Sequence, residues 1–218
     1  MNLEDRVADN NKNKITKGEK TKRKLFDCAA QLFKQYTFDE VSVDKIVEAA
    51  GVAKGTFYIY FESKDALIAA FMDDYVKRVD AYYRATVEAF PSNTPSSEIL
   101  LVLISKIADT LVDNIGYNSM RTVYNIQLSA TVDMDVIKGY NRELYNVFAD
   151  LLSRGLQRGE FKTNITLDVL TRHFVMAIRG LSYEWCIRYP DFNLKQEALT
   201  HFQLLLSGIE TNISKKMP

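Results

Sequence analysis

The sequence is poor in the residues that cross-link a chain or anchor it to a membrane. It has two cysteines in 218 residues, Cys28 and Cys186, and both lie in apolar helical patterns. A disulfide framework is therefore not expected, and a reducing cytosol fits better. The N-terminus lacks the apolar stretch of a signal peptide, and no run of about 18 apolar residues is present. We therefore expect a cytoplasmic protein without a membrane partner.

Motifs that carry catalysis are also lacking. The sequence contains no phosphate-binding loop, dinucleotide glycine fingerprint or nucleophile elbow. Its two histidines, His173 and His201, are far apart in sequence and have no clustered cysteines nearby, so the usual spacing of a zinc site is missing. We therefore expect neither an enzyme nor a bound metal or cofactor.

Proline and glycine are scarce, with four and nine copies, and they fall between segments of helical periodicity. Strand-like alternation is weak throughout, so the pattern predicts an all-α fold of about nine helices. Thr21 is the expected N-cap of the first helix, and two short helices flank Gly51. Ser63 is expected to cap a long fourth helix that reaches about Phe90. After the break PSNTPSS, further helices are predicted at about 98–113, 117–131, 134–158, 167–189 and 194–213.

The formal net charge is zero, which argues against indiscriminate binding of polyanions by the whole surface. Charge is nevertheless concentrated at one end. Seven lysines and arginines lie between Asn11 and Leu25, against the single acid Glu19. This segment is either a solvated tail or a basic arm that reaches DNA and makes binding strongly dependent on salt.

The stretch from Ser42 to Tyr60 has the pattern of a helix-turn-helix. Ser42 is a suitable N-cap for a two-turn helix, and Gly51 can end that helix in the left-handed conformation. On a helical wheel Phe57 and Phe61 share the inward side of the second short helix. The remaining faces of that helix could enter a DNA major groove, which is about 12 Å wide.

Polar side chains on these faces are suited to DNA. Lys54 and Tyr58, one turn apart, can reach base edges, and Gly55 permits a close backbone approach. Hydroxyl and ammonium groups nearby suit phosphate oxygens. The predicted DNA-binding residues are Ser42, Lys54, Gly55, Thr56, Tyr58, Tyr60 and Lys64. Ordinary packing of a small helical unit with half-buried tyrosines explains the same pattern, so periodicity alone leaves DNA binding open.

The N-terminal segment Thr21 to Leu67 resembles the DNA-binding domain of the TetR family of bacterial transcriptional regulators. TKRKLFDCAAQLF, which begins at Thr21, resembles the first helix of that domain, with Cys28 where alanine is usual. GVAKGTFYIYFESK, from Gly51 to Lys64, is the most specific part. Asp44 departs from family members that place a cation there, which puts base contact from that position in question.

The resemblance implies a subunit of nine helices that dimerises through its last two helices and binds double-stranded operator DNA until a small ligand releases it. It also implies that Lys54, Gly55 and Tyr58 read bases, while the other four predicted residues hold phosphates. The predicted domains are a disordered arm (1–15), a helix-turn-helix DNA-binding domain (16–62) and a domain for ligand binding and dimerisation (63–218).

The C-terminal helices carry two sets of candidate residues. Apolar stripes on the last two helices are either one subunit's core or a four-helix dimer interface, and the predicted interface residues are Phe174, Ile178, Phe202, Leu205, Leu206 and Ile209. Aromatic and methionine side chains can line an adaptable apolar cavity, although core packing explains each of them as well. The predicted ligand-binding residues are Met120, Tyr124, Phe148, Met176, Tyr183 and Trp185.

The leading hypothesis is a dimeric transcriptional repressor released from its operator by a small, largely apolar ligand. In that case the fourth helix, which joins the two domains, is expected to pivot and change the spacing of the recognition helices. One alternative is a small-molecule-binding or enzymatic helical protein with a structural N-terminal unit. Another is an activator or a nucleoid-type binder on the same fold.

Overall fold

The computed structural model describes residues 16–36, 40–129, 139–140 and 142–211, without the side chain of Lys34. The predicted arm, 1–15, lies outside the described residues. Within them the chain forms nine α-helices and one π-helical turn, and the prediction of an all-α fold is confirmed. The elements are α1 (Lys17–Gln35), α2 (Val43–Ala50), α3 (Lys54–Tyr60), α4 (Lys64–Glu88), α5 (Ser96–Asp109), the π turn (Thr110–Ile115), α6 (Tyr117–Ser129), α7 (Glu143–Gln157), α8 (Leu167–Arg188) and α9 (Leu194–Ser207).

The chain divides into two compact units, one ending at Leu67 and the other beginning at Ile68. The division falls inside α4, which therefore contributes residues to both units. The expected cap of α4 is confirmed, because the Ser63 hydroxyl accepts a hydrogen bond from the backbone N–H of Ala66 at 3.0 Å.

The first helix begins earlier than the sequence pattern predicted. Thr16 and Glu19 form a capping box, in which the Thr16 hydroxyl accepts from the Glu19 N–H and the Glu19 carboxylate accepts from the Thr16 N–H. Thr21 lies inside α1 and donates its hydroxyl to the carbonyl of Lys17. The prediction that Thr21 caps this helix was wrong, because the capping box five residues earlier satisfies the first free amides.

Three other helix boundaries also differ from prediction. The last helix was expected over 194–213, but α9 ends at Ser207. The fifth helix was expected to run to about residue 113, but α5 ends at Asp109 and continues as the π turn, which stops at Gly116 with φ 78°. The helix predicted over 134–158 begins only at Glu143, and residues 139 and 140 are not helical. Residues 134–138 lie outside the described part of the chain.

The core of the second unit is built mainly from α5, α7, α8 and α9. The rings of Phe148, Phe174 and Phe202 form a buried cluster at its centre, with centroids 5.6 to 6.5 Å apart. Gly155 of α7 is needed for close packing, since a Cβ atom there would lie 2.2 Å from the ring of Phe161. Among the helices described, none is long and apolar enough to cross a membrane.

Candidate nucleic-acid interface and effector cavity

The turn between α2 and α3 is fixed by local backbone chemistry. The Ser42 hydroxyl accepts from the N–H of Lys45 at 3.2 Å and so caps α2. Gly51 ends α2 at φ 59° and ψ 42°, a left-handed conformation that costs a residue with a Cβ. Its N–H and that of Val52 donate to the carbonyls of Glu48 and Val47. The chain is thereby redirected into α3 within three residues.

An apolar anchor holds α3 in the first unit. Phe57 is fully buried and Phe61 nearly so, as the helical wheel predicted. The ring of Phe61 lies 5.6 Å from that of Phe57 and 5.1 Å from that of Phe26 on α1, centroid to centroid. Ile46 of α2 is also fully buried. Because one side of α3 packs in this core, the opposite side is exposed.

The exposed side of α3 has room for a large partner. Tyr58 is 52% exposed and Ile59 is 76% exposed. A Cβ atom added to Gly55 would meet nothing within 4 Å. The structure thus brings Lys54, Gly55 and Tyr58 together on the free surface of one short helix. This is the arrangement needed for side chains that reach into a groove.

Lys54 is held by an acid across the turn. Its Nζ lies 2.8 Å from Oδ1 and 3.0 Å from Oδ2 of Asp44, near the start of α2. The hydrogen bond and the charge of this carboxylate raise the pKa of Lys54. Both side chains are largely exposed. Lys54 is the only lysine or arginine of α3, and the carboxylate of Asp44 therefore partly offsets the positive charge of this helix.

The four predicted phosphate-binding residues differ in the contacts that their donor groups already make within the protein. The Ser42 hydroxyl accepts in the N-cap and so keeps its own proton for donation. Thr56 and Tyr60 are half-buried, and the Tyr60 hydroxyl lies against the start of α1 at Gly18. Lys64 already donates to the carbonyl of Val41 at 2.9 Å. Lys64 thus has a structural role that the sequence pattern did not indicate.

The second unit contains a cavity of about 230 Å³. Its walls are mostly apolar, and the described residues that line it belong to α4, α5, the π turn, α6, α7, α8 and the segment before α7. Six of the residues that line it carry a hydroxyl group: Tyr75, Tyr83, Thr110, Tyr124, Tyr145 and Ser182. The Tyr124 hydroxyl is 2.6 Å from that of Ser182, and burial raises the pKa of Tyr124. The cavity suits a ligand of modest size that is mainly apolar.

One wall of the cavity is cationic. Arg142 and Arg179 both line it, and burial, with the like charge of Arg142, lowers the pKa of Arg179. The guanidinium of Arg142 binds the carboxylate of Asp80 on α4, with Nη2 to Oδ1 at 2.6 Å and Nε to Oδ2 at 2.8 Å. Asp80 is only 2% exposed and also accepts from the N–H of Leu144.

A more open groove adjoins this cavity and shares Tyr75, Val79 and Thr110 with it. Its charges are mixed, because Arg78 and Lys106 lie alongside acids of α5 and the π turn. Arg78 also pairs with Asp74 of its own helix at 3.0 Å. The cavity and the groove therefore differ in charge. The cavity is mainly apolar with two arginines in its wall, whereas the groove has acids beside its cations.

Comparison with known proteins identifies the helix-turn-helix. Residues 25–71, which include α2, α3 and the start of α4, match the family described as bacterial regulatory proteins, tetR family. The match covers 47 of the 218 residues, so it identifies this segment as a TetR-type DNA-binding domain. The resemblance carried by Gly51 to Lys64 is confirmed, and the TetR relatives named below are regulators rather than enzymes.

Relatives also match beyond the TetR DNA-binding domain. A fatty acid metabolism regulator protein of Bacillus subtilis is 25% identical over 195 residues, which cover 85% of this chain and 93% of the relative. A solved structure of the regulator FadR from the same organism, in complex with stearoyl-CoA, has a TM-score of 0.70 at 20% identity and covers 86% of this chain and 99% of its own. A Thermus thermophilus FadR in complex with lauroyl-CoA has a TM-score of 0.62 at 19% identity, with 85% and 93% covered. These two comparisons show that the chain shares the fold of those structures.

Only part of the predicted ligand set lines the cavity of this chain. Met120 and Tyr124 do. Phe148 lies in the main core, and Trp185 packs in a smaller cluster with Met120. Met176 and Tyr183 are exposed on α8. The periodicity of α8 identified large side chains but not the direction in which each one faces.

The predicted dimer residues are also divided. Phe174, Ile178, Phe202 and Leu206 are buried inside the subunit, where they belong to its main core, and Leu205 and Ile209 pack against that core. The exposed side of α8 instead carries a stripe at helical spacing, which we call the α8 stripe: His173, Met176, Gly180, Tyr183 and Ile187. On α9 the exposed large apolar residue is Leu204.

Sequence reasoning missed the contribution of α4 to the cavity and the ion pair at its wall. A signal was present, because Asp80 falls in register with Met72, Val76 and Tyr83, which are all buried. An acid on the buried face of a helix requires a partner. The pattern could not name Arg142, which is 62 residues away in sequence.

Proposed function

We propose that this chain is a dimeric, sequence-specific DNA-binding transcriptional repressor, released from its operator by a small, largely apolar ligand. The observation that carries the proposal is the α2–α3 corner, with α3 anchored through Phe57 and its opposite side open to a partner. The family match over residues 25–71 supports DNA as that partner.

Roles on the DNA follow from the hydrogen bonds that each side chain can donate. Lys54 and Tyr58 would contact base edges in the major groove, where Gly55 lets the backbone come close. Ser42 would donate its free proton to a phosphate, together with the hydroxyls of Thr56 and Tyr60. Lys64 would share its ammonium between a phosphate and the Val41 carbonyl, since one ammonium has three donors.

The cavity of the second unit is the proposed effector site. Its apolar walls favour a hydrocarbon portion, and Met120 and Tyr124 would contact the ligand. The complexes of the two FadR structures with stearoyl-CoA and lauroyl-CoA support an acyl chain as that portion. Because α4 lines the cavity and begins in the DNA-binding unit, we expect a pivot of α4 to change the spacing of the two recognition helices.

A second copy of this chain is the proposed partner of α8 and α9. A paired operator requires a two-fold symmetric protein. The exposed α8 stripe and Leu204 are better placed for this contact than Phe174 and Phe202, which stabilise the subunit from inside. Phe174 and Phe202 would support that interface from within the subunit.

The proposal is tested by binding of the full chain to the region upstream of its own gene, in a gel-shift assay with and without competitor DNA. The double variant Lys54→Ala, Tyr58→Ala should lose most of the affinity and the sequence preference. A matched control is Lys77→Ala, which removes a similarly exposed lysine from an ion pair with Asp73 and should bind like the wild type. An unchanged double variant would contradict the assignment of α3 as the recognition helix.

A further inference from the structure

The Asp80–Arg142 ion pair connects the wall of the cavity to α4. Asp80 is 2% exposed, and its carboxylate oxygens accept hydrogen bonds from Arg142 and from the N–H of Leu144. Arg142 immediately precedes α7, and Leu144 lies in its first turn. A buried carboxylate of this kind is stable only while its partners remain in place. The pair therefore holds the middle of α4 against the start of α7.

Arg142 lines the cavity and keeps one nitrogen for a further partner. Its hydrogen bonds to Asp80 use Nε and Nη2, and Nη1 makes no hydrogen bond to a described residue. A guanidinium can bind two oxygens side by side through adjacent N–H groups. An anion in the cavity could therefore bind Arg142 through Nη1 and then compete with Asp80 for Nη2.

The neighbourhood of Arg142 favours an anion over a neutral polar group. Arg179 lines the same wall, and its pKa is lowered by burial and by the charge of Arg142, so a negative charge placed there would offset the repulsion between the two guanidiniums. The hydroxyls of Tyr124 and Ser182, 2.6 Å apart, lie close to the carbonyl of Arg179 and could orient the same group. The adjoining groove has acids beside its cations and offers no comparable preference.

We propose that the effector is an amphiphile whose anionic group binds Arg142 inside the cavity, that this anion displaces Asp80, and that loss of the Asp80–Arg142 pair frees α4 to move. The inference rests on the proposed function and adds to it the charge of the ligand and the residue pair that senses it. A free carboxylate on an acyl chain has the required chemistry. In an acyl thioester the charges lie on phosphates away from the chain, so they would reach Arg142 less well.

Three probes separate these ligand classes: dodecanoate, 1-dodecanol and lauroyl-CoA. Binding to the full-length protein is measured by titration calorimetry, and release of labelled upstream DNA is measured by fluorescence anisotropy. Dodecanoate offers Arg142 a charged carboxylate, whereas dodecanol offers only a neutral hydroxyl. The wild type should therefore bind dodecanoate about tenfold tighter than dodecanol. Dodecanoate should also be the stronger of the two in releasing DNA.

Two variants test the ion pair itself. Arg142→Gln should bind dodecanoate and dodecanol equally. Asp80→Asn should bind dodecanoate more tightly than the wild type, because Arg142 is no longer occupied by a charged partner. In Asp80→Asn the DNA affinity without ligand should be lower, and dodecanoate should change it less than in the wild type.

Arg84→Gln is the matched control, since Arg84 lies one turn further along α4 and also bridges to α7, through Glu143 and Asp150, without lining the cavity. Arg84→Gln should bind dodecanoate more tightly than dodecanol, and dodecanoate should release DNA from it as from the wild type. If Arg142→Gln does not fold, the comparison of dodecanoate with dodecanol on the wild type and on Asp80→Asn still decides the question.

Equal binding of dodecanoate and dodecanol by the wild type would overturn the proposal, as would DNA release by lauroyl-CoA alone or no binding of dodecanoate. Each of these results leaves the repressor function standing as long as the wild type binds upstream DNA specifically. Failure of the wild type to bind that DNA would instead contradict the proposed function.

Discussion

Lys54 and Asp44 form an ion pair across the turn of the helix-turn-helix, with Nζ 2.8 Å from Oδ1. The pair places a negative charge beside the cation that is expected to reach DNA. It therefore orients Lys54 in the free protein and must open, or be shared, when Lys54 meets a base or a phosphate. The acid stands at the position where the family resemblance implied a cation, and the Lys54 ammonium remains exposed beside it.

Asp44→Asn should strengthen DNA binding. The substitution removes a charge that repels phosphates and leaves Lys54 fully cationic towards DNA, so the slope of log affinity against log salt should steepen by about one. Measurement of Kd by anisotropy at several salt concentrations checks this. Asp27→Asn, which removes an exposed acid paired with Arg23 on α1, is the control for a general charge effect. A weaker complex would show that Asp44 contributes to the interface directly.

Two glycines of the first unit should respond in opposite ways to alanine. Gly51→Ala places a Cβ at φ 59° and should reduce the free energy of unfolding by about 1 kcal/mol. Gly55→Ala lies in α3 with open space around it, so stability should stay the same or rise slightly. DNA affinity should nevertheless fall for Gly55→Ala, because the added methyl group keeps the backbone away from the DNA.

Denaturant unfolding and anisotropy on the same preparations separate these effects. If Gly55→Ala binds DNA as the wild type does, the close approach assigned to Gly55 is incorrect. A Gly51→Ala protein as stable as the wild type would mean that the turn can relax to another conformation.

The anchor of α3 should dominate the stability of the first unit. Phe57→Ala removes a fully buried ring and should cost about 3–5 kcal/mol of unfolding free energy. Ile59→Ala, on the exposed side of the same helix, should change stability by less than about 0.5 kcal/mol. Equilibrium unfolding in urea gives both values, and similar losses for the two variants would place Ile59 in an unrecognised contact.

The α8 stripe should determine the association state. Tyr183→Asp and Leu204→Asp put charges on exposed apolar positions, so we expect them to shift the protein from dimer to monomer while the helix content and the melting transition remain. Sedimentation velocity measures the shift. Glu197→Gln, at an exposed polar position of α9, should leave the dimer intact. Dimers that persist in both aspartate variants would place the interface elsewhere.

The helix-turn-helix could be predicted because its determinants are local. The cap at Ser42, the left-handed Gly51 and the inward spacing of Phe57 and Phe61 all lie within 20 residues, and each acts through the backbone or through one helical face. The same local logic misplaced the start of α1 when it chose Thr21 over the capping box at Thr16 and Glu19.

The cavity could not be predicted in the same way. Its lining depends on which side of each helix faces inward, and α8 has apolar residues on more than one side. Met176 and Tyr183 were predicted to bind the ligand but are exposed, whereas Val175 and Ile178 of the same helix line the cavity. The partner of Asp80 depends on tertiary packing, which brings Arg142 to α4 from beyond α5, the π turn and α6.

Nuclease footprinting of the full chain on the DNA upstream of its gene shows whether a dimer reads that DNA through α3. Such a dimer should protect two related half-sites, separated by about one or more turns of the double helix, and the Lys54→Ala, Tyr58→Ala variant should lose that protection. Uniform protection along the fragment at low salt, or a footprint that the double variant retains, would contradict recognition through α3.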